Sequence, residues 1–172
     1  GSHKFMKVGC HVSIAGGIWN APKNAADLGC EVFQIFTRSP QGGAAPKITP
    51  EMAEEFKLAM KTNNQAECYI HTPYYINFAS EKESLHENSV RIVREELERG
   101  SLIGAKYVMT HLGSSKEGDR QKAMGLVAQS VKEILHGYEG STELLLEISA
   151  GAGSLMGCTF EELAEIRDKS GR

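Results

Sequence analysis

Lys106-Tyr107-Val108-Met109-Thr110-His111-Leu112-Gly113 sets a short apolar run ahead of a histidine and halts it at a glycine. The run has the length of a buried strand. Outward from it the same unit recurs, at residues 7–12, 31–36 and 67–71 before it and 143–148 after it. Each run is followed by a loop containing Gly, Ser or Pro, then by a stretch with helical periodicity. The first helical stretch covers residues 18–28 and stops at Gly29, a left-handed terminator. In the second, Thr49 is the N-cap and Pro50 the first helical residue, and Met52, Phe56, Ala59 and Met60 repeat at helical spacing. The third, residues 84–103, stops at Gly104 with Val90, Val93, Leu97 and Leu102 as its buried stripe. The fourth, residues 119–136, places Met124, Val127, Val131 and Leu135 on one face and stops at Gly137. A fifth begins at Thr159, with Glu162 completing a capping box.

Five strand–helix units imply an α/β fold with a parallel sheet and right-handed crossovers. No linker or shift in composition divides the chain, so residues 1–172 read as a single domain. Gly1-Ser2-His3 reads as a tag remnant, which removes His3 from the ligand candidates. Two architectures compete. A doubly wound open sheet is complete with five strands, whereas a TIM-type barrel needs eight units and about 250 residues and would here be incomplete.

The 172 residues are 41% hydrophobic and 24% charged, which excludes a disordered chain. No apolar run approaches the ~20 residues of a membrane span, and no signal sequence opens the chain. The net charge of −3 does not favour indiscriminate nucleic-acid binding. Cys10, Cys30, Cys68 and Cys158 form no C-x-x-C pair and read as reduced thiols of a cytoplasmic protein.

Polar residues concentrate where the strands end. His11, His71, His111 and Glu147 terminate or nearly terminate runs 1, 3, 4 and 5, the edge that carries active sites in parallel α/β folds. Imidazoles with a carboxylate match the ligand set of Zn²⁺ or Mn²⁺. Glu147 follows three leucines as the end of an interior strand, where a carboxylate is costly unless it is paired or bound to a cation. Ser149-Ala150-Gly151-Ala152-Gly153 has only the glycines of a phosphate loop. Neither a P-loop Lys-Ser/Thr, a G-x-G-x-x-G nor a G-x-S-x-G motif is present. Tyr74 and Tyr75 follow His71 in a loop, placed either to pack over it or to stack on a base or ribose.

Taken in order, Val8-Gly9-Cys10-His11-Val12-Ser13-Ile14-Ala15-Gly16-Gly17, Phe33-Gln34-Ile35-Phe36-Thr37-Arg38-Ser39-Pro40, His71-Thr72-Pro73-Tyr74-Tyr75-Ile76-Asn77, Thr110-His111-Leu112-Gly113-Ser114 and Glu147-Ile148-Ser149-Ala150-Gly151 resemble the endonuclease IV family. These are apurinic/apyrimidinic endonucleases of base-excision repair, in the xylose-isomerase-like TIM barrel superfamily. The resemblance implies a (β/α)₈ barrel holding three zinc ions and hydrolysis of the phosphodiester 5′ to an abasic site in DNA. It implies His71 and His111 as ligands of one metal, and Glu147 as a catalytic carboxylate bridging that metal to a second. It implies Tyr74 and Arg38 as DNA-binding residues, and His11 as a rim histidine behind the ligands.

Two departures stand out. Gln41 and Gly43 replace the family's Arg and Trp after the Pro of the strand-2 loop, and Ile148 and Ala152 replace a polar Asn and Gln. The family's later motifs, with six further ligands and about three strand–helix units, are not found. The expectation is a C-terminally truncated form of such an enzyme, binding at most one ion and inactive alone. It would self-associate through open edges at strands 1 and 5, where Val8, Cys10, Leu144 and Leu146 read as inward-facing. The alternatives are a sugar isomerase or epimerase of the same superfamily and a non-catalytic folding unit or subunit.

Overall fold

Strand order separates the two architectures. The structure, a computed structural model, describes residues 7–113 and 120–147. The strands are β1 (Gly9–His11), β2 (Val32–Ile35), β3 (Glu67–His71), β4 (Tyr107–His111) and β5 (Glu143–Glu147). All neighbours are parallel and their order is β1-β2-β3-β4-β5. A doubly wound sheet reverses its order at a switch point. Here there is no reversal, so right-handed crossovers carry the helices to one face. The sheet is of the TIM-barrel type, with five of the eight strands of a closed barrel. The fifth helix, the loop at residues 149–153 and Cys158 lie outside the described residues.

Between the strands run α1 (Ala21–Asp27), α2 (Pro50–Thr62), α3 (Glu83–Ile103) and α4 (Arg120–Leu135). The first helical stretch opens as a 3-10 turn, Ile18–Asn20, before α1. Thr49 caps α2 as its sequence predicts, with Oγ1 accepting the Met52 N–H at 3.1 Å. Gly104 ends α3 in the left-handed conformation, φ +76°. The stripe on α3 is rotated from its expected position. Leu102 is 50% exposed, while Ile92, Val93, Leu97 and Ile103 are buried. None of the described helices is long and apolar enough to cross a membrane.

Alternation along the strands sorts their side chains into two sets. Phe33, Ile35, Cys68, Ile70, Val108 and Thr110 are buried beneath the helices. The Phe33 ring meets Phe56 of α2 at 6.2 Å, and Ile70 lies against Gly100 of α3. Cys10, Leu144 and Leu146 share this parity and pack on the same core. They therefore face the helices and not the barrel interior, because a strand's inward set is fixed by parity and not by hydrophobicity. Val8, expected to point inward, is 60% exposed. The opposite face is the concave one. Its middle row runs His11, Gln34, Tyr69, Tyr107, Glu143, and above it stand His71, Met109, Leu145 and then His111 with Glu147.

Candidate active site

His71 closes β3, His111 closes β4 and Glu147 closes β5, so all three reach the C-terminal rim of the concave face. His71 Nδ1 lies 2.7 Å from the Thr72 carbonyl, which fixes the ring with Nδ1–H donating. Its Nε2 then faces the Glu147 carboxylate, 3.3 Å away. The His111 ring lies 6.4 Å from that of His71, centroid to centroid, with 29° between the planes. Burial pulls the His111 imidazole below its ordinary pKa, and His71 adds to this. Hydrogen bonds to the backbone of Ile76 and Tyr74 and the charge of Glu147 oppose it. His111 is therefore neutral at pH 7, the form that binds a metal. Glu147 was expected to be buried, but its side chain is 48% exposed, because β5 borders the described sheet with one face open.

His11 is brought to the same rim through an aromatic contact. Its ring meets Phe36 at 4.7 Å, and Phe36 in turn meets His71 at 5.7 Å and Tyr74 at 5.3 Å. Tyr74 is 64% exposed. Phe36 is the residue that sequence reasoning missed. It ends an apolar run, which made it look like core, and the signal was its shared side with His11 and His71. Arg38 is paired with carboxylates of α3. Its side chain is only 3% exposed, with Nε 2.6 Å from Glu96 and a terminal nitrogen 2.7 Å from Glu95. Glu96 also accepts from Thr37, and Arg99 binds the Thr37 hydroxyl and carbonyl and the Pro46 carbonyl. The charge of Arg38 is thus spent inside the protein, clamping the β2–α2 loop to α3. Arg38 also lines the clefts on either side of that loop.

Two clefts flank this loop. One of 720 Å³ lies between Gln41–Ala45 and α3, lined also by Tyr75, Asn88 and Arg91. The other, of 440 Å³, is lined by His11, Ser13, Phe36 and Ser39. His71, His111 and Glu147 line neither and stand on the open face of the sheet. Among the described residues no three His, Cys, Asp or Glu side chains are drawn together into a closed metal-binding group. The donor chemistry nevertheless fits a divalent cation, with one imidazole oriented toward a carboxylate and a second held neutral beside them.

The family model described as "Xylose isomerase-like TIM barrel" matches residues 22–172. The chain is 35% identical over 164 residues to "Probable endonuclease 4" of Natranaerobius thermophilus, covering 95% of this chain and 58% of that one. A solved structure of endonuclease IV from Thermus thermophilus superposes with a TM-score of 0.81 at 33% identity, over 94% of this chain and 59% of that one. D-Psicose 3-epimerase from Clostridium cellulolyticum superposes with a TM-score of 0.67 at 16% identity, over 96% of this chain and 60% of that one, a likeness of fold. The chain thus spans a little under three-fifths of the length of the curated relatives it matches.

Proposed function

The chain belongs to the xylose isomerase-like TIM barrel family, and we propose that within it the chain carries the lesion-facing part of a metal-dependent phosphodiesterase acting 5′ to abasic sites in DNA. The observation that carries this reading is the convergence of His71, His111 and Glu147 at one rim, with His71 Nε2 turned to Glu147 at 3.3 Å. The relatives named endonuclease 4 at about 35% identity support it. Zinc or manganese, when bound at these residues, supplies Lewis-acid polarisation of a phosphoryl oxygen.

The chain's own residues do the rest. The Thr72 carbonyl holds the His71 ring so that Nε2 and the Glu147 carboxylate present adjacent donors. His111 contributes a neutral imidazole beside them. Phe36 props His11, His71 and Tyr74 from behind. Tyr74 offers an exposed ring to a nucleotide next to the gap left by a lost base. Arg38 serves DNA binding only indirectly, by holding the loop that carries Phe36 and Thr37. The sugar-epimerase reading draws on Gln41 and Gly43, which lack the cation and the aromatic ring expected of a DNA probe.

The test is incision of a duplex carrying one abasic site. The 172-residue chain alone is expected to cut no faster than background, since the described donors suffice for one ion. Mixed with the C-terminal remainder of the Natranaerobius thermophilus relative, it is expected to give chelator-sensitive cutting 5′ to the lesion, lost in His71→Ala. Robust cutting by the chain alone would overturn the first expectation. Absence of cutting by the mixture, together with epimerisation of a ketohexose, would replace the reading with the sugar enzyme.

A further inference from the structure

The C-terminal ends of β3 and β4 are tied together by two buried hydroxyls. Past the paired residues His71 and Met109, the Thr72 N–H still reaches the Met109 carbonyl at 2.9 Å. Pro73 follows and has no N–H with which to continue the ladder. At this point Thr72 Oγ1 donates to Thr110 Oγ1 at 2.9 Å, and Thr110 Oγ1 donates to the His111 carbonyl at 3.2 Å. The Thr72 carbonyl accepts from His71 Nδ1 at 2.7 Å. A run of hydrogen bonds through Thr72 and Thr110 thus joins the His71 ring to the His111 backbone.

Both threonines are 0% exposed. They continue the helix-facing row of Ile70 and Val108, whereas His71 and His111 stand on the concave side. Neither hydroxyl therefore reaches an ion held by the imidazoles. Valine has the shape of threonine and would fill this apolar layer without the desolvation that a buried hydroxyl costs. Pairing the two hydroxyls satisfies them, but leaves the layer about as stable as two valines would. Stability alone does not account for the pair. What the hydroxyls add is direction.

We infer that Thr72 and Thr110 are positioning residues that aim the His71 imidazole and tie it to the backbone of His111. The Oγ1–Oγ1 bond fixes how Thr72 is turned at the end of β3. That turn points its carbonyl at His71 Nδ1, which leaves Nε2 facing Glu147 at 3.3 Å. On β4 the Thr110 hydroxyl holds the peptide of His111, whose ring stands 6.4 Å from that of His71. The purpose of this aim rests on the metal-binding reading of the rim, whereas the aim itself is tested without an ion. Groups behind a metal's ligands set their tautomer and direction in this way, and their loss weakens binding by about 10–100-fold.

The experiment compares the full wild-type chain with Thr110→Val, Thr110→Ser and the double variant Thr72→Val/Thr110→Val. Urea midpoints and the ¹⁵N–¹H spectrum of the imidazoles at mildly alkaline pH are recorded without metal. Co²⁺ affinity is then titrated by visible absorption. Wild-type His71 is expected as a single Nδ1–H tautomer. Thr110→Val strands the Thr72 hydroxyl, so its urea midpoint is expected to fall and its His71 ring to become a mixture of tautomers. In the double variant both hydroxyls are gone and the midpoint is expected to return close to wild type. Its His71 ring is nonetheless expected to remain a mixture, with Co²⁺ bound about tenfold more weakly. Thr110→Ser is expected to restore the single tautomer and the affinity. A double variant that keeps the single tautomer would make the pair merely structural and overturn the proposal, as would a wild-type His71 that is already a mixture. Co²⁺ binding by wild type that is indifferent to His71→Ala would remove the metal reading instead, and the ring spectra would still decide the positioning role.

Discussion

Arg38 and Glu96 are the most completely buried ion pair among the described residues, their side chains 3% and 0% exposed. Removing one partner from such a pair strands the other charge in a low dielectric. Arg38→Met is therefore expected to cost about 3–5 kcal/mol, read from urea unfolding; a loss below about 1 kcal/mol would show that Arg99 and Thr37 suffice for Glu96. Glu95 lies at the wet edge of the same network. Burial pushes its carboxyl up, but hydrogen bonds from Arg38 and Arg91 outweigh this and hold it below its ordinary value of 4.5. A carboxyl depressed in the folded state contributes its full stability above its unfolded pKa and loses it as the pH falls through the folded one. The stability difference between wild type and Glu95→Gln is thus expected to be constant above about pH 5 and to shrink below about pH 4.5. At the rim, one zinc ion per chain is expected to survive dialysis, and His71→Ala should weaken its binding at least tenfold by elemental analysis. Retention unaffected by that substitution would remove His71 from the metal site.

At the scale of the element, capping and close packing decide the outcome. Thr49→Ala removes the one side-chain acceptor at the start of α2 and is expected to cost about 1 kcal/mol. Gly100 sits inside α3, where alanine would ordinarily stabilise a helix by ~1 kcal/mol. A Cβ there would stand 2.9 Å from Thr142 Oγ1 and 3.1 Å from Ile70 Cδ1. The helix leans on the sheet through that missing methyl, so overpacking wins and Gly100→Ala should lower stability by about 1–2 kcal/mol net. Helix ends were legible in the chain because Thr-Pro and terminal Gly act locally. The buried face of α3 was legible only roughly. Val93 and Leu97 were foreseeable, whereas the exposure of Leu102 and burial of Glu96 follow from how α3 is rotated against β2 and the loop after it.

On the scale of the whole molecule, β1 and β5 each have one unpaired side among the described residues, and the concave face carries no covering helix among them. Open parallel edges recruit further strands. A polypeptide of these 172 residues is expected to sediment as a dimer or larger species at micromolar concentration; a stable, non-aggregating monomer would show that its edges are covered. The same geometry accounts for Leu145 at 40% exposure and for Glu147 standing in the open.

The sequence by itself determined the strand–helix alternation, the elements and their stops, and the position of His71, His111 and Glu147 at strand ends. Those features depend on periodicity and on neighbours within a few residues. Tertiary structure alone decided the strand order, because hydrogen-bonded neighbours are set by crossover handedness and not by any local pattern. It decided which parity faces the helices, turning Cys10, Leu144 and Leu146 away from the barrel interior. It also decided that Arg38, an ordinary surface cation by composition, meets Glu95 and Glu96 some 57 residues away. A charge pair at that separation leaves no trace in the sequence, since it exists only once β2 and α3 are packed together.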